Sequence, residues 1–212
     1  MSALCQVCEK RRAKRACPGL HGEICAQCCG EQREVTIDCP LDCEYLAEAR
    51  KHEPLPQLTE SDIPHPDVRL TEGFLREHQD LVLFSSYSLL AASLQTEGAA
   101  DGDVREALEA MIKTLRTRES GLIYETRPPN PYAAQIQDRL QVAFEELGKR
   151  MSEQTGLTAI RDAEILGCLV FLARVAVQHD NRRRRGRAFL DFLRSQFPAP
   201  SSNTPGVSAL EG

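Results

Sequence analysis

Apolar side chains recur every three or four positions through most of the chain beyond residue 71, and this period is typical of amphipathic helices. The clearest case lies between Asp101 and Gly121, the expected N-cap and the expected stop of one helix. Its apolar positions are Val104, Leu108, Met111, Ile112 and Leu115. Because such spacings return to the same face of a helix, one side of this segment is expected to be buried.

The same pattern predicts five helices, over about residues 71–96, 101–121, 130–151, 158–179 and 181–197. The fourth is apolar nearly all round its middle, so it should lie at the centre of a bundle. No strand alternation of useful length occurs in this half of the chain. We therefore expect a mostly α protein, with an all-helical bundle of about five helices in residues 71–197.

Composition divides the rest of the chain into three segments. Residues 53–70 contain prolines at 54, 56, 64 and 66, which favour extended backbone and predict a linker with few contacts. Residues 198–212 are rich in Pro, Ser and Gly and are expected to be a disordered tail. Residues 1–52 hold eight of the nine cysteines and form a small module of their own.

The uncharged stretches are too short for a membrane span. The two most apolar ones, Leu81–Leu94 and Ile165–Ala173, have 14 and 9 residues, whereas a spanning helix needs about 20. Residues 1–5 show no secretory leader, so we expect a cytoplasmic protein without a membrane partner. The net charge of −5 argues against bulk electrostatic binding of nucleic acid, although local basic clusters remain.

The cysteines of the module are spaced as zinc ligands. Two of them form a Cys-x2-Cys pair, and so do two others further along. Such a pair can grip one tetrahedral zinc ion at about 2.3 Å from each sulfur. Eight cysteines suit two zinc ions per chain, and a reducing compartment favours metal over disulfides. The predicted ligands are Cys5, Cys8, Cys17, Cys25, Cys28, Cys29, Cys39 and Cys43.

Two arrangements of these ligands are open, either sequential pairs or an interleaved cross-brace. In the cross-brace, one ion takes Cys5, Cys8, Cys25 and Cys28, while the other takes Cys17, Cys39, Cys43 and one more ligand. That last ligand is Cys29 or His21. We favour Cys29, because neighbouring residues of a helix point about 100° apart and can serve different ions.

Other chemistries use similar residues. An iron–sulfur cluster takes the same thiolates, and Cys25-x2-Cys28 alone has the spacing of a redox pair. His21-Gly22-Glu23 before that pair shares letters with zinc deaminases, but the spacing and the missing proline do not fit them. We therefore expect closed, structural sites and no enzyme activity.

The order of "CQVC", an eight-residue gap, "CPGLH" and "CAQC" resembles the cross-brace treble-clef fingers of the HIT and MYND types. The resemblance covers residues 5–43. Those fingers usually end with a histidine and a cysteine on a last helix, whereas this chain offers Cys39-x3-Cys43. The resemblance implies a module that docks proteins, sometimes in ribonucleoprotein assembly, without catalysis of its own.

Two basic clusters suggest an alternative function. One consists of Lys10, Arg11, Arg12, Lys14 and Arg15, and the other of Arg182, Arg183, Arg184, Arg185 and Arg187 at the start of the predicted last helix. Either cluster suits phosphate contact, but cations beside thiolate sites also offset the negative charge of those sites.

We therefore expect a non-enzymatic zinc-binding adaptor whose N-terminal module docks a protein partner. Nucleic-acid binding through the two basic clusters and redox or metal sensing by the thiols are the alternatives. The sequence does not specify an oligomeric state. Cys168, alone in an apolar run, is most simply a core residue.

Overall fold

The protein is mostly helical. The computed structural model describes the backbone of residues 3–155 and 160–197, and the side chains of the same residues except 154 and 155. This part of the chain forms a two-stranded sheet and eight α-helices, and a 3-10 helix at Glu60–Asp62 lies between the second and third α-helices. The elements are β1 (Arg15–Cys17), β2 (Gly22–Ile24), α1 (Ala26–Gln32), α2 (Glu44–Arg50), α3 (Glu72–Glu77), α4 (Gln79–Leu94), α5 (Asp101–Glu119), α6 (Pro131–Thr155), α7 (Asp162–Gln178) and α8 (Ala188–Gln196).

The helical bundle is built around α5 and α7. The predicted apolar stripe of α5 is buried, and Val104, Leu108 and Ile112 are each fully buried. Helix α7 is buried through most of its length, as its apolar sequence predicts. The described helix begins at Asp162, later than the predicted start at about Thr158, a residue that lies outside the described part of the chain. The predicted disordered tail at 198–212 also lies outside it.

One predicted helix is two helices in the structure. The segment 71–96 forms α3 and α4, which are separated at His78, where φ is −105° and ψ is 23°. The ring of Phe74 on α3 packs against Gly167 of α7, where an added Cβ would overlap the ring. The ring of His78 lies 4.5 Å from that of Phe74. The apolar period alone does not show this interruption, because the break depends on a contact with a distant helix.

The proline-rich linker is held to the bundle in its second half. Arg174 of α7 donates hydrogen bonds to the carbonyl oxygens of Pro64, His65 and Val68, at 3.1, 2.6 and 2.8 Å. The first half is more open, and Leu55 is 64% exposed. Residues 64–68 therefore contact the bundle, where the proline content predicted few contacts.

A buried carboxylate organises the start of α8. Asp101, the first residue of α5, is 2% exposed. Its two carboxylate oxygens accept the backbone N–H groups of Phe189 and Leu190, at 2.9 and 3.1 Å. These N–H groups would otherwise be unpaired at a helix N-terminus. Burial raises the pKa of Asp101 to about 7, although the two N–H donors lower it.

The cysteine module packs against the bundle through Glu34, which is fully buried and has a φ of +54°. The Glu34 carboxylate accepts hydrogen bonds from the Arg50 guanidinium, the Asn181 amide and the Arg187 backbone N–H, at 2.7, 2.8 and 2.8 Å. Nearby, Leu41 is buried within the apolar core of the bundle. The module is therefore joined to the bundle by polar and apolar contacts together.

The arginine run 182–187 is an irregular segment, so the prediction of a helix beginning at about Asn181 is wrong. Helix α8 begins at Ala188. The side chains of Asp180 and Asn181 accept the backbone N–H groups of Arg182 and Arg183, at 2.9 and 3.2 Å. The N–H of Arg185 bonds to the Glu34 carbonyl at 2.8 Å. These backbone donors bind local side chains and the cysteine module in place of helical carbonyls.

Asp101 should give stability a dependence on pH. Its folded pKa of about 7 exceeds the unfolded value of 3.8, so the folded state binds the extra proton between these values. The free energy of unfolding should therefore fall as pH rises towards 7, by at most about 1.4 kcal/mol per unit, and then level off. Denaturant unfolding from pH 5.5 to 8.5 should show that the advantage of wild type over Asp101→Asn shrinks across this range. The exposed Glu119→Gln change is the control, and a gap that widens with pH would contradict the assignment.

Glu34→Gln should destabilise the whole chain. The change keeps the shape of the side chain but removes the charge that faces Arg50, and breaking a buried ion pair costs about 3–5 kcal/mol. Denaturant unfolding should show this loss, whereas Glu31→Gln, an exposed change on α1, should shift stability by less than about 0.5 kcal/mol. Equal small effects of both changes would mean that Glu34 does not join the two parts.

Candidate metal centre

The cysteine module is a short hairpin, a two-stranded sheet and two helices. Cys5 and Cys8 lie in a tight turn that is tied to β2 by a hydrogen bond of 3.1 Å from the Gln6 N–H to the Glu23 carbonyl. Strands β1 and β2 are antiparallel, with Arg15 opposite Ile24. Because β2 leads directly into α1, Cys25 becomes the N-cap of that helix and Cys28 lies within its first turn.

Four sulfur atoms from the two halves of this module meet. The Sγ atoms of Cys5, Cys8, Cys25 and Cys28 all lie within 4.8 Å of one another, and Cys8 is the most exposed of these residues. No carboxylate or imidazole belongs to the cluster. This is the interleaved arrangement, since Cys17 lies between the two pairs in sequence and is not part of the cluster. The donor set fits a soft metal ion such as zinc.

The other four cysteines of the module line one small cavity of about 10 Å³. They are Cys17, Cys29, Cys39 and Cys43. Within the described residues, no three of their sulfur atoms are gathered as closely as those of the first cluster. Cys28 and Cys29, adjacent on α1, therefore face different groups of thiols. His21 is exposed in the β1–β2 turn and does not line the cavity.

Two arginines of the first basic cluster point at the sulfurs. Arg11 donates to Cys28 Sγ at 3.5 Å and also contacts the Gln27 side chain. Arg15 donates to Cys29 Sγ at 3.3 Å, and its guanidinium lies 4.7 Å from the centre of the Tyr45 ring. Arg33, which follows α1, also donates to Cys29 Sγ at 3.9 Å. Each group of thiols thus has at least one guanidinium against it, which offsets thiolate charge.

The thiols of the first cluster differ in acidity. The backbone N–H groups of Lys10 and Arg11 lower the pKa of Cys8 to about 6. The Arg11 guanidinium lowers the pKa of Cys28, but burial and the three neighbouring thiols raise it by a larger amount. The net result is a pKa of about 12. Four thiolates this close repel one another, so the fully ionised set requires a cation among them.

Of the other basic side chains in the two clusters, some form ion pairs with carboxylates of the chain and the rest are exposed. Arg183 pairs with Glu53 at 3.4 Å, and both Arg185 and Arg187 pair with Asp38, at 3.4 and 2.7 Å. Three of the five arginines in the second cluster therefore serve contacts within the chain. The other basic side chains, which are exposed, are Lys10, Arg12, Lys14, Arg182 and Arg184.

Sequence reasoning missed Glu34 and Asp38, the acidic partners of this arginine run. Both lie between Cys29 and Cys39, and no spacing rule distinguishes them from other surface carboxylates. A buried Glu at position 34 is visible only when Arg50 and residues 181–187 are brought beside it.

No protein-family model, curated protein or solved structure matches this chain. The likeness to HIT and MYND fingers therefore rests on the order of cysteine pairs alone. In the part of the chain that the structure describes, no helix combines the length and apolar character needed to cross a membrane.

Arg11→Gln should weaken metal retention at the first cluster. Loss of the guanidinium beside Cys28 removes a donor to a ligand sulfur, and such partners typically contribute about 10–100-fold to metal affinity. The rate of zinc transfer to a chelator should rise by at least about tenfold. Arg12→Gln is the matched control, because it removes the same charge from a neighbouring side chain that contacts no sulfur. Equal rates for both variants would contradict a role for Arg11 at the metal.

Proposed function

We propose that the protein is a non-catalytic zinc-binding adaptor. The observation that carries this proposal is the cluster of four sulfur atoms within 4.8 Å of one another. A tetrahedral ion with Zn–S bonds of about 2.3 Å places its sulfurs about 3.8 Å apart, so only small shifts would close the cluster around zinc.

We further propose a second zinc ion in the cavity lined by Cys17, Cys29, Cys39 and Cys43. Three features support it. The four residues are of one type, they share a single small space, and Arg15 offers a positive charge at Cys29. The chain would then hold two zinc ions in the interleaved order, which is one of the two arrangements that the cysteine spacing leaves open.

The chemistry of the sites favours a structural role. Four thiolates saturate a tetrahedral zinc ion, whereas catalytic zinc keeps one position open for water. The resemblance to HIT and MYND fingers adds the expectation that such a module docks proteins. A reducing compartment such as the cytoplasm suits nine free thiols, so we retain it as the proposed location.

The two alternative functions have less support. Nucleic-acid binding needs free cations, and Arg183, Arg185 and Arg187 are already paired with carboxylates of the chain. Redox sensing uses reactive, accessible thiolates. Cys5, Cys25, Cys28 and Cys29 are all at most 8% exposed, which favours holding a metal over meeting an oxidant.

Elemental analysis of the purified chain should find two zinc ions per molecule. Cys29→Ser should lose about half of this metal after dialysis against a mild chelator, because it removes one of the four ligands proposed for the second ion. His21→Ala should keep both ions, which makes it the matched control. One ion in the wild type that is retained unchanged in Cys29→Ser would contradict the second site, and iron with a visible chromophore would contradict zinc.

A further inference from the structure

The hairpin that carries Cys5 and Cys8 has two different faces. An antiparallel bridge pairs Leu4 with Arg12, and the flanking bonds are Cys5 N–H to the Arg11 carbonyl and Ala13 N–H to the Ala3 carbonyl, at 2.9 and 3.0 Å. Side chains alternate across such a ribbon. Arg11 and Arg15 accordingly face the sulfurs, and Arg12 and Lys14 face outward.

The outward face is strongly positive. The side chains of Lys10, Arg12 and Lys14 are exposed and make no ion pair or hydrogen bond within the described part of the chain. Between Leu4 and Lys14, Glu9 is the single carboxylate, against four basic residues. Intramolecular contacts therefore explain the inward arginines of this cluster and leave the outward cations unexplained.

Apolar side chains stand among these cations. Leu4 is 58% exposed, and its bridge to Arg12 is of the type that brings opposing side chains closest together. Val7, at the tip of the turn between Cys5 and Cys8, is 42% exposed. Leu4 therefore lies beside Arg12, and Val7 is exposed in the same hairpin, three positions before Lys10.

We propose that Leu4, Val7, Lys10, Arg12 and Lys14, here called the knuckle surface, dock an acidic segment of another protein that carries apolar side chains among its carboxylates. The inference rests on the proposed adaptor function and names the chemistry of the partner. The basic side chains attract the partner's carboxylates. Burial of Leu4 and Val7 against an aliphatic side chain that lies between those carboxylates adds favourable hydrophobic free energy.

The character of the apolar groups favours a protein over a nucleic acid. Single-stranded nucleic acids bind with their bases stacked on aromatic side chains. Tyr45 is the one Phe, Tyr or Trp in residues 3–52, and the Arg15 guanidinium already lies over its ring at 4.7 Å. Aliphatic side chains beside cations suit a peptide better than a chain of phosphates and bases.

The test selects a random display library of 12-residue peptides on the zinc-loaded, full-length protein. Enriched sequences should place Asp or Glu next to Leu, Ile or Val, and synthetic copies should show binding by fluorescence anisotropy. Arg12→Glu combined with Lys14→Glu should weaken that binding by at least about tenfold, through lost attraction and new repulsion. Leu4→Ser with Val7→Ser should also weaken it at unchanged charge.

Lys113→Glu combined with Lys149→Glu is the matched control. It makes the same change of net charge at two exposed positions on α5 and α6, and it should leave peptide binding unchanged. Zinc content and helical circular dichroism of every variant should equal those of wild type, so that a lost fold is not read as a lost surface.

Several outcomes would overturn the knuckle surface. These are the absence of any enriched peptide, enrichment without acidic residues, equal binding to the reversed-charge variant, and tighter binding of a 20-nucleotide single-stranded RNA than of any peptide. Removal of zinc tests the adaptor function separately. If peptide binding requires zinc but is unchanged in the Arg12 and Lys14 variant, the adaptor function stands and the knuckle surface is rejected. If binding requires Arg12 and Lys14 but persists after chelation, the knuckle surface stands and the zinc-dependent adaptor function is rejected.

Discussion

The core of the cysteine module consists largely of sulfur, and this limits how the module can be stable. Of its nine buried core residues, six are cysteines, and the aliphatic ones are Ile24, Ile37 and Leu46. A buried aliphatic side chain contributes about 1.5–3 kcal/mol, whereas ordering each residue of backbone costs about 1–2 kcal/mol. Three such side chains cannot order a module of this length. Contacts with the helical bundle, together with metal–sulfur bonds at the proposed zinc sites, would therefore supply what an apolar core supplies elsewhere.

A module that depends on thiolates must also offset their negative charge. Two four-thiolate zinc sites would each carry a net charge of about −2, in a module whose side chains otherwise balance. The alternation of an extended segment places Arg11 against the first group of thiols and Arg15 against the second, where Arg33 also donates to Cys29. The same alternation exposes Arg12 and Lys14 to solvent. One basic run can thus offset thiolate charge on one side and present free cations on the other, since neighbouring residues of the run face opposite sides.

Local patterns were sufficient for some features and not for others. The apolar stripe of α5 and the two pairs Cys5-x2-Cys8 and Cys25-x2-Cys28 depend on spacings within a helix or a short turn, and both are read from the sequence. Spacing alone left open which pairs share an ion, and the fold brings these two together. The break at His78, the grip of Arg174 on residues 64–68 and the irregular run 182–187 depend on partners about 90 to 150 positions away. The four consecutive arginines are unfavourable for a helix N-terminus, and that conflict was the one local sign that the run is not a helix.

The bundle and the second group of thiols hold the same stretch of chain from two sides. Cys29 and Cys39 bracket the loop that contains Glu34. The bundle side binds the backbone carbonyls of that loop: Arg183 donates to the Arg33 carbonyl oxygen and Arg187 to that of Cys39, at 2.7 and 3.1 Å. If a zinc ion fixes both ends of the loop, the bundle binds a segment that is already ordered, and the bundle in turn preorganises the ligands. Such coupling is reciprocal, since each contact lowers the ordering cost of the other. Loss of metal at the second group should therefore loosen the junction with α8 as well as the module itself.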